Sequence, residues 1–192
     1  MCDAGVEGTS TSCTTDNFTN NYLAYGSIAA RALGVDLFTI AYSGIGMYRS
    51  YTTGGAPPPV MADRYDHAIT NDGSAWDFSK YTPDAVVINL GSNDWSAGDP
   101  GQPYIDKYVS FIAHVRSKYA SAKIVCVIQN SNAVTAINSV VTKVKGDGDM
   151  NVEVFDIHSY ANGKACAGHP DKAGHAAMGA ALAAHLKSVL GW

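Results

Sequence analysis

Three stretches of this chain carry residue types suited to chemistry on a carbonyl: Ser43-Gly44-Ile45-Gly46, Gly91-Ser92-Asn93-Asp94 and Gly168-His169-Pro170. An unhindered glycine N–H and an asparagine carboxamide both donate hydrogen bonds to a developing oxyanion. A histidine at the start of a helix can take and return a proton as general base. Together these are the parts of an acyl-transfer site, apart from the nucleophile.

Each stretch must be positioned by the element before or after it. Ala85 to Ile88, with Leu90, is a short apolar run between turn signals, as expected of a buried strand in a parallel sheet. It opens into the loop that holds Asn93. Val35–Tyr42 reads as another strand, ending at Ser43; Lys123–Ile128 and Val152–Ile157 read as two more. Helical periodicity begins at Asn21, with Gly34 as its stop. A short helix is expected around 60–68. Pro103 suits a helical first turn, and Ile105, Tyr108, Val109, Ile112 and Val115 give that helix an apolar stripe. Further helices are expected over 133–145 and 170–190, the last ended by Gly191, with Asp171 as its cap. Residues 1–19 and most of 47–82 read as loop, including Gly54 to Pro59. Strands alternating with helices predict an α/β fold: a parallel sheet with helices on both faces, the three-layer α/β/α arrangement. Ligand sites of such sheets lie outside the carboxyl ends of the strands, where these three loops are expected to meet.

Composition narrows the partners. The 192 residues suit a single domain spanning 1–192, and they are 46% hydrophobic but only 16% charged, with a net charge of −4. No basic tract is present, which argues against nucleic acid. No apolar run approaches the roughly 20 residues of a membrane span. MCDAGVEG at the N-terminus does not resemble a signal peptide. Eleven Tyr with many Gly, Asn, Ser and Thr fit an exported protein, extracellular or periplasmic. Cys2 and Cys13 flank a small loop that a disulfide would close; Cys126 reads as a buried thiol. His158, His169 and His175 do not share one face of one element, so neither metal nor other cofactor is expected.

The three stretches resemble blocks II, III and V of the SGNH (GDSL-type) hydrolases, serine esterases on a flavodoxin-like sheet. GVEGTSTSC, YLAYGSIAARALG and WDFSKYTPDAVVINLGSNDWSAGDPGQPY resemble carbohydrate esterase family 2 more narrowly. That resemblance covers nearly the whole chain. It implies an esterase acting on small acyl esters or acetylated polysaccharide, with Gly46 and Asn93 as oxyanion donors and His169 as base. Asp94 is expected to be structural, bonding loop amides. Trp95, Tyr48 and Trp76 would line a sugar-binding cleft.

The chain also departs from the family. There an apolar first strand leads to Gly-Asp-Ser-Ile-Thr-Cys-Gly-Tyr-Gly, whose Ser is the nucleophile. Cys2 matches the family's Cys, so that Ser would lie upstream of Met1. Relative to the family the domain is N-terminally truncated and lacks the usual first strand. In the order 2-1-3-4-5 that strand sits between those ending at Ser43 and Asn93. Each backbone group left buried and unpaired costs on the order of 1–3 kcal/mol. The expected repair is rearrangement, with the strand ending at Ser43 pairing directly with the Asn93 strand, or dimerisation, with a second copy donating a segment to make a swapped dimer or other homo-oligomer; the alternative is a fragment that folds poorly. Ser43, Ser10, Ser12 and Cys2 are the candidate replacement nucleophiles. The usual Asp three residues before the His is here Cys166, so a backbone carbonyl is left to orient His169, giving a dyad. The alternative is a silent domain that binds ligand or self-assembles.

Overall fold

Three of the four expected strands form a parallel sheet in a computed structural model, which describes Glu7 and residues 18–52, 54–69, 73–161 and 165–192. The order is β1 (Ala85–Ile88), β2 (Lys123–Ile128), β3 (Val152–Asp156). Ala85 pairs with Lys123 and Ile88 with Cys126; Ile124 pairs with Val152 and Ile128 with Asp156. The central strand β2 is buried from Ile124 onward, as a strand covered on both faces must be.

These strands belong to one of two compact units, residues 44–156; residues 1–43 and 157–192 make the other. In the first unit, helix α2 (Gln102–Lys118) starts with Pro103 in its first turn and buries Tyr104, Tyr108, Phe111, Ile112 and Val115. Helix α3 (Val134–Gly146) buries Ile137, Val140, Val141 and Val144, and packs on α2, β2 and β3. The crossovers are locked by Arg116. Its guanidinium donates to Asp149, to the carbonyls of Tyr119 and Ala122, and to that of Asn151. One planar fork thus ties the turn before β2 to the turn before β3.

In the second unit, helix α1 (Tyr25–Leu33) packs against helix α4 (Lys172–Leu190). The approach is close because Gly179 lacks a side chain. A Cβ there would stand 2.7 Å from Ile28 Cβ and 3.0 Å from the Tyr25 carbonyl oxygen. Gly34 and Gly191 end their helices in the left-handed conformation, and Asp171 caps α4 by accepting from Gly174 N at 2.9 Å.

Three expectations are corrected. Residues 35–42 are not in a strand, and their large apolar side chains are exposed: Leu37 by 48%, Phe38 by 51%, Tyr42 by 48%. Their sequence specifies extended backbone, but a strand also needs a ladder partner, which local sequence cannot supply. Helix α1 begins at Tyr25 rather than Asn21, because the Asn20 side chain accepts from Tyr22 N and Leu23 N and closes a 3-10 turn first. The helix expected over 60–68 is reduced to a 3-10 turn at Met61–Asp63, fastened by Asp63 accepting from Val60 N at 3.0 Å.

Candidate active site

In the 44–156 unit, the loop after β1 is built by hydroxyls and one carboxylate. The chain leaves the sheet at Ile88, and two α2 tyrosines take over its carbonyls. Tyr108 donates to Ile88 O at 3.3 Å and Tyr104 to Leu90 O at 2.9 Å. Burial pushes both phenols well above their ordinary range, so they remain donors at any physiological pH. The same burial pushes the neighbouring Cys126 thiol up to about 12, which makes it inert.

Asp94 then holds the facing loop. It is fully buried, and its carboxylate accepts from Met47 N at 3.0 Å, Tyr48 N at 2.7 Å and Arg49 N at 2.9 Å. Arg49 returns the contact, donating from Nε to Asp94 O at 3.1 Å and from Nη2 to Gly98 O at 2.7 Å. The structural role expected of Asp94 is what the geometry shows. Asn93 Nδ2 donates to Ile45 O at 2.8 Å. A carboxamide nitrogen carries two hydrogens, so this bond orients the group and leaves one N–H to offer.

Gly46 is different from its expected role. Its N–H is committed to the buried Ser50 hydroxyl at 3.0 Å, which itself donates to Pro59 O at 2.7 Å. A Cβ at Gly46 would collide with the Arg49 carbonyl and lie 2.9 Å from Asp94 Oδ2. The residue is glycine because the loop folds back on it, and its hydrogen is already spent. Gly44, in the same motif, has φ +77°, accepts from Tyr51 N through its carbonyl, and has an N–H with no acceptor among the described residues.

Of the three aromatics, Tyr48 is 43% exposed. Trp95 instead packs edge-on against Tyr104, ring centres 4.9 Å apart. Trp76 is half-buried and bonded through its side chain to Tyr119. The sequence reading missed Ser50 and Arg49, whose roles depend on partners distant in the chain; no local pattern marks them.

The other unit holds His169. Residues Cys166–Gly168 form a 3-10 turn, and His169 Nδ1 lies 2.8 Å from Cys166 O. A carbonyl only accepts, so the proton sits on Nδ1 and the lone pair on Nε2. The backbone carbonyl therefore stands where a triad would have its carboxylate, as the sequence led one to expect. Cys166 is buried and disulfide-bonded. Ser43 belongs to this unit too; it is exposed and makes no hydrogen bond to His169. For Ser43 to serve as a nucleophile, that bond to the base would have to form in the reacting complex. Cys2, Ser10 and Ser12, with Cys13, lie outside the described residues.

Comparison with known proteins gives the lineage. Residues 5–177 match the model of the GDSL-like lipase/acylhydrolase family. The chain is 38% identical over 202 residues to the cellulase/esterase CelE of Acetivibrio thermocellus, covering 100% of this chain and 25% of that protein. It is 28% identical over 175 residues to an acetylxylan esterase/glucomannan deacetylase of Cellvibrio japonicus, covering 88% and 49%. A solved family two carbohydrate esterase from Clostridium thermocellum in complex with cellohexaose superposes with a TM-score of 0.91 at 35% identity, over 100% of this chain and 62% of that one. The chain thus spans a quarter to a half of the curated relatives it matches. With that fold and those blocks, the chain belongs to the GDSL-like lipase/acylhydrolase family, and its relatives are family 2 carbohydrate esterases.

Proposed function

We propose that this domain is a carboxylic ester hydrolase that removes acetyl groups from polysaccharide, through an acyl-enzyme. The observation that carries the proposal is the Nδ1–H tautomer of His169, which leaves Nε2 as the base. Nε2 takes the proton of a hydroxyl or thiol nucleophile as it attacks the acetyl carbonyl. Within the 44–156 unit, the remaining N–H of Asn93 and the N–H of Gly44 are the donors suited to an oxyanion, since that of Gly46 is committed to Ser50. His169 then returns the proton to the departing sugar oxygen, and water releases acetate by the reverse sequence. Cys2, Ser10 and Ser12 are the candidate nucleophiles, with Ser43 requiring rearrangement. Tyr48, exposed beside the Asp94-bound loop, offers a face to a sugar ring. The substrate class is supported by relatives named as acetylxylan esterases and glucomannan deacetylases. We place this protein outside the cytoplasm on the same grounds of substrate.

Hydrolysis of p-nitrophenyl acetate and release of acetate from acetylated xylan test this reading. Activity lost in His169→Ala and in one of Cys2→Ala, Ser10→Ala or Ser12→Ala supports it. Wild-type activity in His169→Ala overturns it.

A second reading is favoured by residues 35–42. Val35, Leu37, Phe38, Ile40 and Tyr42 expose 38–51% of their surface, in a segment outside regular secondary structure. Such a segment is a donor for β-pairing. In this reading the domain is a silent member of the family whose main property is self-association with a second copy.

A further inference from the structure

The His169 turn has an anchor whose use the reaction alone does not explain. Its tip, Ala167 and Gly168, is exposed, while Ala165, Cys166 and Pro170 at its base are buried. The backbone is held by Ala165 N to His169 O at 2.8 Å, Gly168 N to Ala165 O at 3.2 Å and His169 N to Cys166 O at 3.2 Å, all within five residues. Against these short-range bonds stands a strained position. Ala167 has φ 54° and ψ 28°, and it is a non-glycine residue in the left-handed region among the described residues. Cys166 carries both features that matter: its carbonyl accepts from the imidazole at 2.8 Å, and its sulfur is tied into a disulfide.

We propose that the Cys166 disulfide is a positioning device for the base. It pins the first residue of a strained turn, so that the Cys166 carbonyl stays against Nδ1 and His169 is kept in a single tautomer. Freed of the crosslink, the turn relaxes through Ala167, the carbonyl swings away, and the imidazole redistributes its proton between Nδ1 and Nε2. The catalytic consequence rests on the role proposed for His169; the tautomer consequence does not. Cys166 acts through His169 and does not itself touch substrate. The crosslink makes that control sensitive to reductant. A phosphine such as TCEP breaks the S–S bond by giving two electrons to sulfur. Water supplies two protons to the thiols and the oxygen of the phosphine oxide.

The test is imidazole ¹⁵N NMR with esterase kinetics on the wild type, Cys166→Ala, Cys166→Ala/Ala167→Gly and TCEP-treated wild type. In the oxidised wild type His169 shows the Nδ1–H form. In Cys166→Ala and after TCEP it becomes a mixture of tautomers. There kcat falls about 10- to 100-fold while KM changes less than about twofold, as expected when a base is misaimed rather than a binding site lost. Ala167→Gly, which removes the strain, returns the Nδ1–H form in the Cys166→Ala background. The buried His175 reports on the fold of the same unit and should be unchanged throughout. A His169 still wholly Nδ1–H in Cys166→Ala overturns the proposal, as does no recovery with Ala167→Gly. A His175 signal that turns ordinary in Cys166→Ala also overturns it, since the crosslink would then hold the whole unit and not the turn. A tautomer shift in a protein without esterase activity sinks the proposed function and leaves this inference standing.

Discussion

The carboxylate of Asp94 accepts the backbone N–H of Tyr48 at 2.7 Å, across 46 residues of chain. Two neighbouring amides, those of Met47 and Arg49, point at the same group. Three donors converge on one buried acceptor, so removing it takes the partner from all three at once. Asp94→Ala should therefore destabilise the protein by on the order of 3 kcal/mol or more, and Asp94→Asn by less. Urea unfolding monitored by tryptophan fluorescence would show it; an unchanged midpoint in Asp94→Ala would mean the loop has another fastening.

Gly46→Ala puts a methyl group into the Arg49 carbonyl and against Asp94 Oδ2. Backbone cannot move aside as a flexible side chain can. The expected loss is about 2–4 kcal/mol, in the range of overpacking with strain. Gly26→Ala, where a Cβ meets nothing within 4 Å inside α1, should be neutral or slightly stabilising. The comparison of the two by thermal unfolding separates collision from a general glycine effect.

His175 is 2% exposed and stacked on Tyr25, with ring centres 6.2 Å apart. Burial, then the neighbouring His169, pushes its pKa down to about 4. The folded state thus prefers the neutral ring, while the unfolded chain protonates near 6.5. Stability is intact above about pH 6.5 and falls as pH drops toward 4, by on the order of 3 kcal/mol in total. His175→Phe should flatten that slope between pH 6.5 and 4 in denaturant titrations. An equally steep slope in the variant would assign it to other groups.

Asn93→Ala should lower kcat for p-nitrophenyl acetate about 10²- to 10³-fold with little change in KM, the signature of a lost oxyanion donor. Since Asn93 also ties Ile45 O, Asn93→Asp is the companion variant. It keeps the size and loses the N–H donors, and it should be as inactive. Retained activity in either would remove Asn93 from the chemistry.

The exposed residues 35–42 predict a mass that rises with protein concentration in sedimentation velocity. Leu37→Lys together with Ile40→Lys should hold the protein at the monomer mass. A wild type that stays monomeric at all concentrations would dispose of the self-association reading.

The strongly patterned elements were legible in the residues alone. The apolar run at 123–128 became β2 with those bounds, and Pro103, Gly34, Asp171 and Gly191 marked helix ends where the structure has them. The reason is that burial on both faces, capping and left-handed backbone are demands on single residues or near neighbours. The family blocks around Asn93, Asp94 and His169 were legible too, and so was the absence of a carboxylate before His169. What local pattern could not contain was partnership. Residues 35–42 have a strand's composition but no ladder, because pairing is decided by a neighbour and not by propensity. Gly46 looked like a donor, and only the fold put Ser50 Oγ 3.0 Å from its N–H. Likewise Cys166 looked like a bystander before a histidine until its carbonyl and its disulfide were seen acting on the same turn. Residue types set which groups are suited to chemistry; tertiary contacts decided which of their hydrogens and lone pairs stay uncommitted.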